Sequence, residues 1–203
     1  TYIAGSGAWF LRNSNDPGPA DISFVFGPGG GVVPVVGDYD ADGDDTAGVY
    51  DPTTGVFFLK NTNAPGSADT VFTYGAGNPA WAALRGDWDG DGDDSVGLYD
   101  PATGAFFLRN SNSSGGADLV FTFGAGGDVA VSGDWNGDGI RSIGVFRDGK
   151  WHFDMDGDGK WTKGDKIARF GEKGDLPVVG DFNGDGIEEI GVFRGGKWIV
   201  DMN

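Results

Sequence analysis

The chain has 203 residues, no cysteine, and 31 acidic against 14 basic side chains, for a net charge of −17. That charge repels nucleic acid and anionic membrane surfaces and attracts cations, and the absence of thiols excludes disulfides and cysteine chemistry. The 38% hydrophobic and 13% aromatic content is too rich for a disordered acidic chain, and 40 glycines without a Gly-X-Y period point to a turn-rich fold.

In chain order the first landmarks are "AWFLRNSN" at 8–15 and "FVFG" at 24–27. "PVVGD" (34–38), "AGVYD" (47–51), "VFFLK" (56–60) and "TVFTYG" (70–75) then follow as four short runs, A to D. Aromatic and β-branched residues fill them, while Gly, Asp, Asn and Pro fill the gaps, which is strand and turn chemistry. The same order returns twice, with "AFFLRNSN" at 105–112 and "KWHFDMDG" at 150–157 in the C position, and "FTFG" and "ARFG" closing D at 121–124 and 168–171. The chain ends on a further A, B and C, the last being "KWIVDMN" at 197–203. No window carries a helical period over ten residues. Tandem four-stranded units of this length predict an all-β fold. We expect a single domain over 1–203, a β-propeller of about four four-stranded antiparallel blades, with stacked sandwiches or a β-solenoid as the other all-β repeats.

Each A–B turn repeats an acidic pattern: "DYDADG" from Asp38, "DWDGDG" from Asp87, "DWNGDG" from Asp134 and "DFNGDG" from Asp181. Like charges crowded this closely repel unless something positive holds them. Oxygens at positions 1, 3 and 5 converge, and the glycine at position 6 permits the sharp turn by which a hard cation is wrapped. The expected ligand sets are Asp38, Asp40 and Asp42; Asp87, Asp89 and Asp91; Asp134, Asn136 and Asp138; and Asp181, Asn183 and Asp185. Position 7 offers a backbone carbonyl from Asp44, Asp93, Ile140 and Ile187. Position 8 is Asp45, Asp94, Arg141 and Glu188, and an arginine there argues for a side chain turned away from the ion. Calcium suits such an all-oxygen cage better than magnesium, and a chain with one histidine and no cysteine disfavours zinc. Asp-Gly hairpin turns alone would explain one Asp and one Gly per loop, not three alternate donors in four copies.

A fifth acidic loop, "DMDGDGKWTKGD", lies between C and D. Asp154, Asp156 and Asp158 stand at positions 1, 3 and 5, Lys160 at 7 and Asp165 at 12, which is EF-hand spacing with Asp for the usual Glu. About five calcium ions are expected in all. The corresponding C–D turns of earlier units begin with Arg12, Lys60 and Arg109, each with an aspartate nine residues on: Asp21, Asp69 and Asp118. A fixed basic side chain is expected to do there what the ion does in the fifth loop.

The acidic A–B turn, the "FG" that ends run D and the "GAG" after it resemble FG-GAP/VCBS-type repeats, the blades of integrin α-chain heads and of many bacterial exported proteins. The resemblance covers the whole chain in four copies. It implies a propeller with calcium sites in the A–B hairpins and no particular activity. In that family position 9 is usually an acidic ligand. Here it is Thr46, Ser95, Ser142 and Glu189, so only the last loop matches fully.

The termini leave one C run over if the N-terminal C and D join the C-terminal A and B in a fourth blade. Either 8–12 or 197–201 then has no place. The chain is a fragment of a longer array, the spare strand frays, or a second copy completes the blade head to tail, which builds filaments. No apolar run approaches the ~18 residues of a membrane span, and nothing resembles a signal peptide. A chain opening on Thr1 rather than Met fits a processed or trimmed product.

Catalysis has little to work with. His152 is the only histidine and falls in a C run, and the three glutamates are Glu172, Glu188 and Glu189. We expect no enzyme. Trp9, Trp88, Trp135, Trp151 and Trp198 replace other aromatics of the repeat and are expected in the core between blades. Trp81 and Trp161 fall outside the pattern and are thin support for a glycan-binding surface. The reading is an extracellular, calcium-stabilised propeller with a structural or adhesive role, with a filament subunit as one form of it. A lectin-like propeller, or a non-catalytic module of a larger secreted enzyme, is the alternative. A glycan or cell-surface ligand is an expected partner; nucleic acid and membrane insertion are not.

Overall fold

The computed structural model describes residues 1–202, and they form five small antiparallel sheets in a propeller-like arrangement, without helices. The first sheet holds β1 (Tyr2–Ile3), β2 (Ala8–Leu11) and β3 (Ile22–Val25). Three four-stranded sheets follow: β4 (Val33–Gly37) to β7 (Thr70–Thr73) by way of β5 (Thr46–Asp51) and β6 (Val56–Leu59); β8 (Ala82–Gly86), β9 (Ser95–Asp100), β10 (Ala105–Leu108) and β11 (Leu119–Thr122); and β12 (Val129–Gly133), β13 (Ser142–Arg147), β14 (Lys150–Phe153) and β15 (Lys166–Arg169). The fifth sheet is β16 (Leu176–Gly180), β17 (Glu189–Arg194) and β18 (Lys197–Val200). Strand order within every sheet follows the chain.

Register aligns one aromatic from each of strands B, C and D. Tyr50 sits opposite Phe57, and Phe57 opposite Phe72, with ring centroids 4.4 and 5.5 Å apart. Tyr99, Phe106 and Phe121 repeat the ladder at 4.6 and 5.6 Å, and Tyr2, Trp9 and Phe24 at 4.8 and 6.1 Å. Such cross-strand pairs fix which face of each sheet is apolar. In the second and third sheets strand B carries a glycine two residues before that aromatic, where space is short: a Cβ on Gly97, opposite Leu108, would lie 2.7 Å from Leu108 Cδ2.

The core lies between sheets rather than within them. Four clusters join the first sheet to the second, the second to the third, the third to the fourth and the fourth to the fifth. The inner strands β4, β8, β12 and β16 are successive neighbours and line a cavity of about 270 Å³. The fifth and first sheets do not pack into a further core. They flank an apolar cleft of about 880 Å³ lined by Trp9, Leu11, Phe182, Trp198 and Val200.

Two expectations are corrected here. The sheets number five, not about four, and the ends do not mix. Tyr2–Ile3 is long enough to pair with Ala8–Trp9 across a tight turn in which Gly7 N–H donates to Ile3 O at 2.9 Å. The first sheet therefore completes itself as B, C and D, and the last as A, B and C, so neither terminal C strand is left over. The second correction concerns the tryptophans. Trp9, Trp88, Trp135 and Trp151 are buried as expected, whereas Trp198 is 65% exposed, because among the described residues no sheet packs against it.

Candidate metal centres

The five acidic loops share one backbone scaffold. The aspartate at position 1 accepts the position-6 glycine N–H in every case: Gly43 to Asp38, Gly92 to Asp87, Gly139 to Asp134, Gly159 to Asp154 and Gly186 to Asp181, at 2.8 to 3.0 Å. The position-5 carboxylate accepts the position-7 N–H: Asp44 to Asp42, Asp93 to Asp91, Ile140 to Asp138, Lys160 to Asp158 and Ile187 to Asp185, at 2.8 to 3.3 Å. These bonds curl the chain so that the side chains of alternate residues face one point. Position 4 needs a left-handed backbone, met by Gly90, Gly137, Gly157 and Gly184, but by Ala41 in the first hairpin at φ 57°.

Carboxylate oxygens converge within 4.8 Å in four sets: Asp38, Asp40 and Asp42; Asp87, Asp89 and Asp91; Asp154, Asp156 and Asp165; and Asp181, Asp185 and Glu189. In the third hairpin Asp134 and Asp138 flank Asn136, whose amide donates to Asp138 at 2.9 Å and to Met155 O at 3.2 Å. In the fourth, Asn183 donates to Asp185 and Glu189. Asp158 serves Lys160 N–H and stands outside the converging set of its loop. The hydroxyls of Thr46, Ser95 and Ser142 turn to the end of strand C, donating to the carbonyls of Lys60, Arg109 and Asp154 at 2.5 Å. Glu189 alone brings a position-9 carboxylate into its cluster.

Several loop carboxylates are shifted towards the neutral form. Desolvation, followed by the neighbouring charges of Asp42 and Asp38, raises the pKa of Asp40, and Asp89 is raised in the same way beside Asp91 and Asp87. Desolvation and a contact with Asp91 push Asp93 to about 6. Burial pushes Asp154 to about 6 as well, with Asp165, Asp156 and Asp158 adding to it against the Gly159 hydrogen bond. Asp181 goes the other way, lowered by the N–H groups of Gly186 and Gly184. A hard cation with oxygen ligands relieves the raised cases directly.

Position 8 does something sequence reasoning missed. Its amide reaches back to position 1 of the preceding loop: Asp94 N–H to Asp38 O at 2.5 Å, Arg141 to Asp87 at 2.8 Å and Glu188 to Asp134 at 3.1 Å. Its side chains link into one chain of alternating charge. Arg85 contacts Asp45 at 3.6 Å and Asp94 at 3.0 Å; Arg141 contacts Asp94 at 3.2 Å and also Glu188. Burial raises the pKa of Asp94 by more than Arg85 and Arg141 lower it. The arginine at position 8 thus reaches the position-8 carboxylates of two other loops and bridges them. Its signal was the break in an otherwise acidic series at Asp45, Asp94 and Glu188.

His152 lies on β14 beside Trp161, ring centroids 5.6 Å apart, with its pKa lowered mainly by burial. Trp81 stacks on Phe107 at 5.0 Å, and Trp161 is 52% exposed.

Fold and site together define an all-β repeat protein whose sheets carry acidic turns on a common scaffold. No protein-family model, curated protein or solved structure matches the chain.

Proposed function

We propose that the chain is an extracellular β-propeller of FG-GAP/VCBS type whose A–B hairpins are clamped by calcium, and that it serves a structural or adhesive role rather than a catalytic one. The observation that carries this reading is the recurrence of one N–H scaffold under the four hairpin loops, three of them with carboxylate oxygens drawn together within 4.8 Å. The turn itself uses the aspartates at positions 1 and 5; a third carboxylate drawn to the same point adds repulsion unless a cation is held. Calcium is favoured by the all-oxygen donors and the flexible loop, magnesium disfavoured by its demand for near-octahedral geometry. An extracellular setting follows from ion supply, since loops of modest affinity fill at millimolar calcium and stand largely empty in cytosol. Exposed edges on β1 and β18 are where a strand from a second copy would add, which supports head-to-tail association.

Isothermal titration of the calcium-free chain tests the proposal. Calcium uptake at the hairpins, reduced by one ion in Asp87→Ala, is the expected result. Failure to take up calcium at millimolar concentration contradicts it.

A further inference from the structure

The turn between strands C and D is built three times around a basic side chain. Lys60 follows β6, its amide donating to Ala47 O at 3.1 Å, and its ammonium turns into the loop to donate to Ser67 O at 3.0 Å. Arg109 holds the same place after β10. Its amide donates to Val96 O at 3.0 Å, and its guanidinium gathers the carbonyls of Ser113, Ser114 and Gly116. Arg12 gathers those of Asp16 and Pro19. The aspartate further along closes each loop: Asp21, Asp69 and Asp118 accept the amides of Asn13, Asn61 and Asn110, each at 2.8 Å. Each loop is thus folded around one fixed positive charge.

The fourth sheet inverts that charge. Asp154 takes the position of Lys60 and Arg109, its amide donating to Ile143 O at 3.1 Å, and Asp165 takes the closing role, accepting Met155 N–H at 2.9 Å. Asp154 is 1% exposed, and while its Oδ2 accepts Gly159 N–H, its Oδ1 is buried without a hydrogen-bond partner. A buried carboxylate oxygen left unsatisfied is costly, and native structures rarely carry one without a partner. One carboxylate oxygen from each of Asp154, Asp156 and Asp165 lies within 4.8 Å of the other two.

We propose that the 154–165 loop is a divalent-cation site in its own right, where an ion held by Asp154, Asp156 and Asp165 replaces the basic side chain that fills the other three C–D loops. Hard oxygen donors in a flexible loop make calcium the fitting ion. The site lies outside the A–B hairpins and does not depend on their being filled. Its consequence is local: order in this loop, and at the start of β15, becomes conditional on calcium, while the equivalent loops carry their cation with them.

Hydrogen exchange of the full chain in calcium and in EGTA, read peptide by peptide, tests this together with calcium stoichiometry. Amides 155–165 should exchange at least roughly tenfold faster in EGTA, and amides 110–118 should not change. Asp154→Lys, which restores the Lys60 arrangement, should make 155–165 insensitive to EGTA and lower the bound calcium by one. Asp156→Asn, at an exposed position, should lower the count as well and serves if Asp154→Lys does not fold. Equal exchange of 155–165 in both buffers, or an unchanged count in the variants, overturns the proposal. Peptides 38–46, 87–95, 134–142 and 181–189 report the hairpins separately, so either reading can fail alone. If EGTA loosens 110–118 equally, the loss belongs to the whole fold, and the stoichiometry of the variants then decides.

Discussion

Asp94→Asn removes the negative charge that holds Arg85 and Arg141 together without changing the side-chain shape. Asp94 has a side chain only 5% exposed and contacts Arg85 at 3.0 Å and Arg141 at 3.2 Å, while both arginine side chains are 19% exposed. Breaking a buried pair by removing one partner costs about 3–5 kcal/mol, because the remaining charge stays buried. Arg85 keeps Asp45 and Arg141 keeps Glu188, and part of each guanidinium reaches solvent, so the cost falls below that range, to about 2–3 kcal/mol. For a chain of this size that lowers the thermal midpoint by roughly 4–12 °C. Calorimetry in calcium buffer measures it, with calcium stoichiometry determined on the same sample. Position 8 is not a ligand in this account, so the ion count should stay unchanged. A midpoint within about 1 °C of the native value would refute the role of the charge chain. Loss of an ion would refute the separation of position 8 from the site.

Three further outcomes follow from the same geometry. Ala41 is held at φ 57° where the other loops use glycine, so Ala41→Gly should stabilise the chain by about 1 kcal/mol, read by urea denaturation. Trp151→Ala should cost about 3–5 kcal/mol and Trp198→Ala less than about 0.5 kcal/mol, since one is fully buried and the other 65% exposed. Equal costs would mean that a further surface covers Trp198. With calcium chelated, Asp154 and Asp93 have folded pKa values raised to about 6, so ionising them opposes folding. The stability their protonated forms confer is complete below their unfolded values and is lost as pH rises through about 6. The chelated chain should therefore gain stability on acidification from neutral pH to about 4.5, whereas the calcium-loaded chain should lose it as protons compete for the ligands. Melting curves across that range in EGTA and in calcium measure the crossing.

Much of this was legible in the residues themselves. The strands A to D of the second sheet fall within two residues of their sequence positions, because aromatic runs bounded by Gly and Asp leave little freedom of register. The loop positions were legible for the same reason: alternate oxygens before a glycine have one compact way to turn. The sheet count was not. Tyr2–Ile3 is too short to show a period, and its pairing with Ala8–Trp9 decides whether the chain makes four units or five. The alternating chain from Asp45 through Arg85, Asp94 and Arg141 to Glu188 was also hidden, since its links cross between sheets. Thr46, Ser95 and Ser142 occupy the expected position, yet a hydroxyl can donate where a carboxylate cannot, and the nearby strand-C carbonyls take it.

The central claim is that bound cations make a stable fold out of an excess of like charge. At about 2 mM calcium and dissociation constants on the order of 10⁻⁴ M, each filled hairpin stabilises the fold by about 1.8 kcal/mol. Four such sites amount to roughly 7 kcal/mol, a thermal shift of roughly 15–25 °C in a chain of this size. Scanning calorimetry of the intact chain in calcium and in EGTA measures that shift directly. A midpoint that falls by this order in EGTA and returns when calcium is restored is the predicted result; melting curves that superimpose in the two buffers would contradict the account.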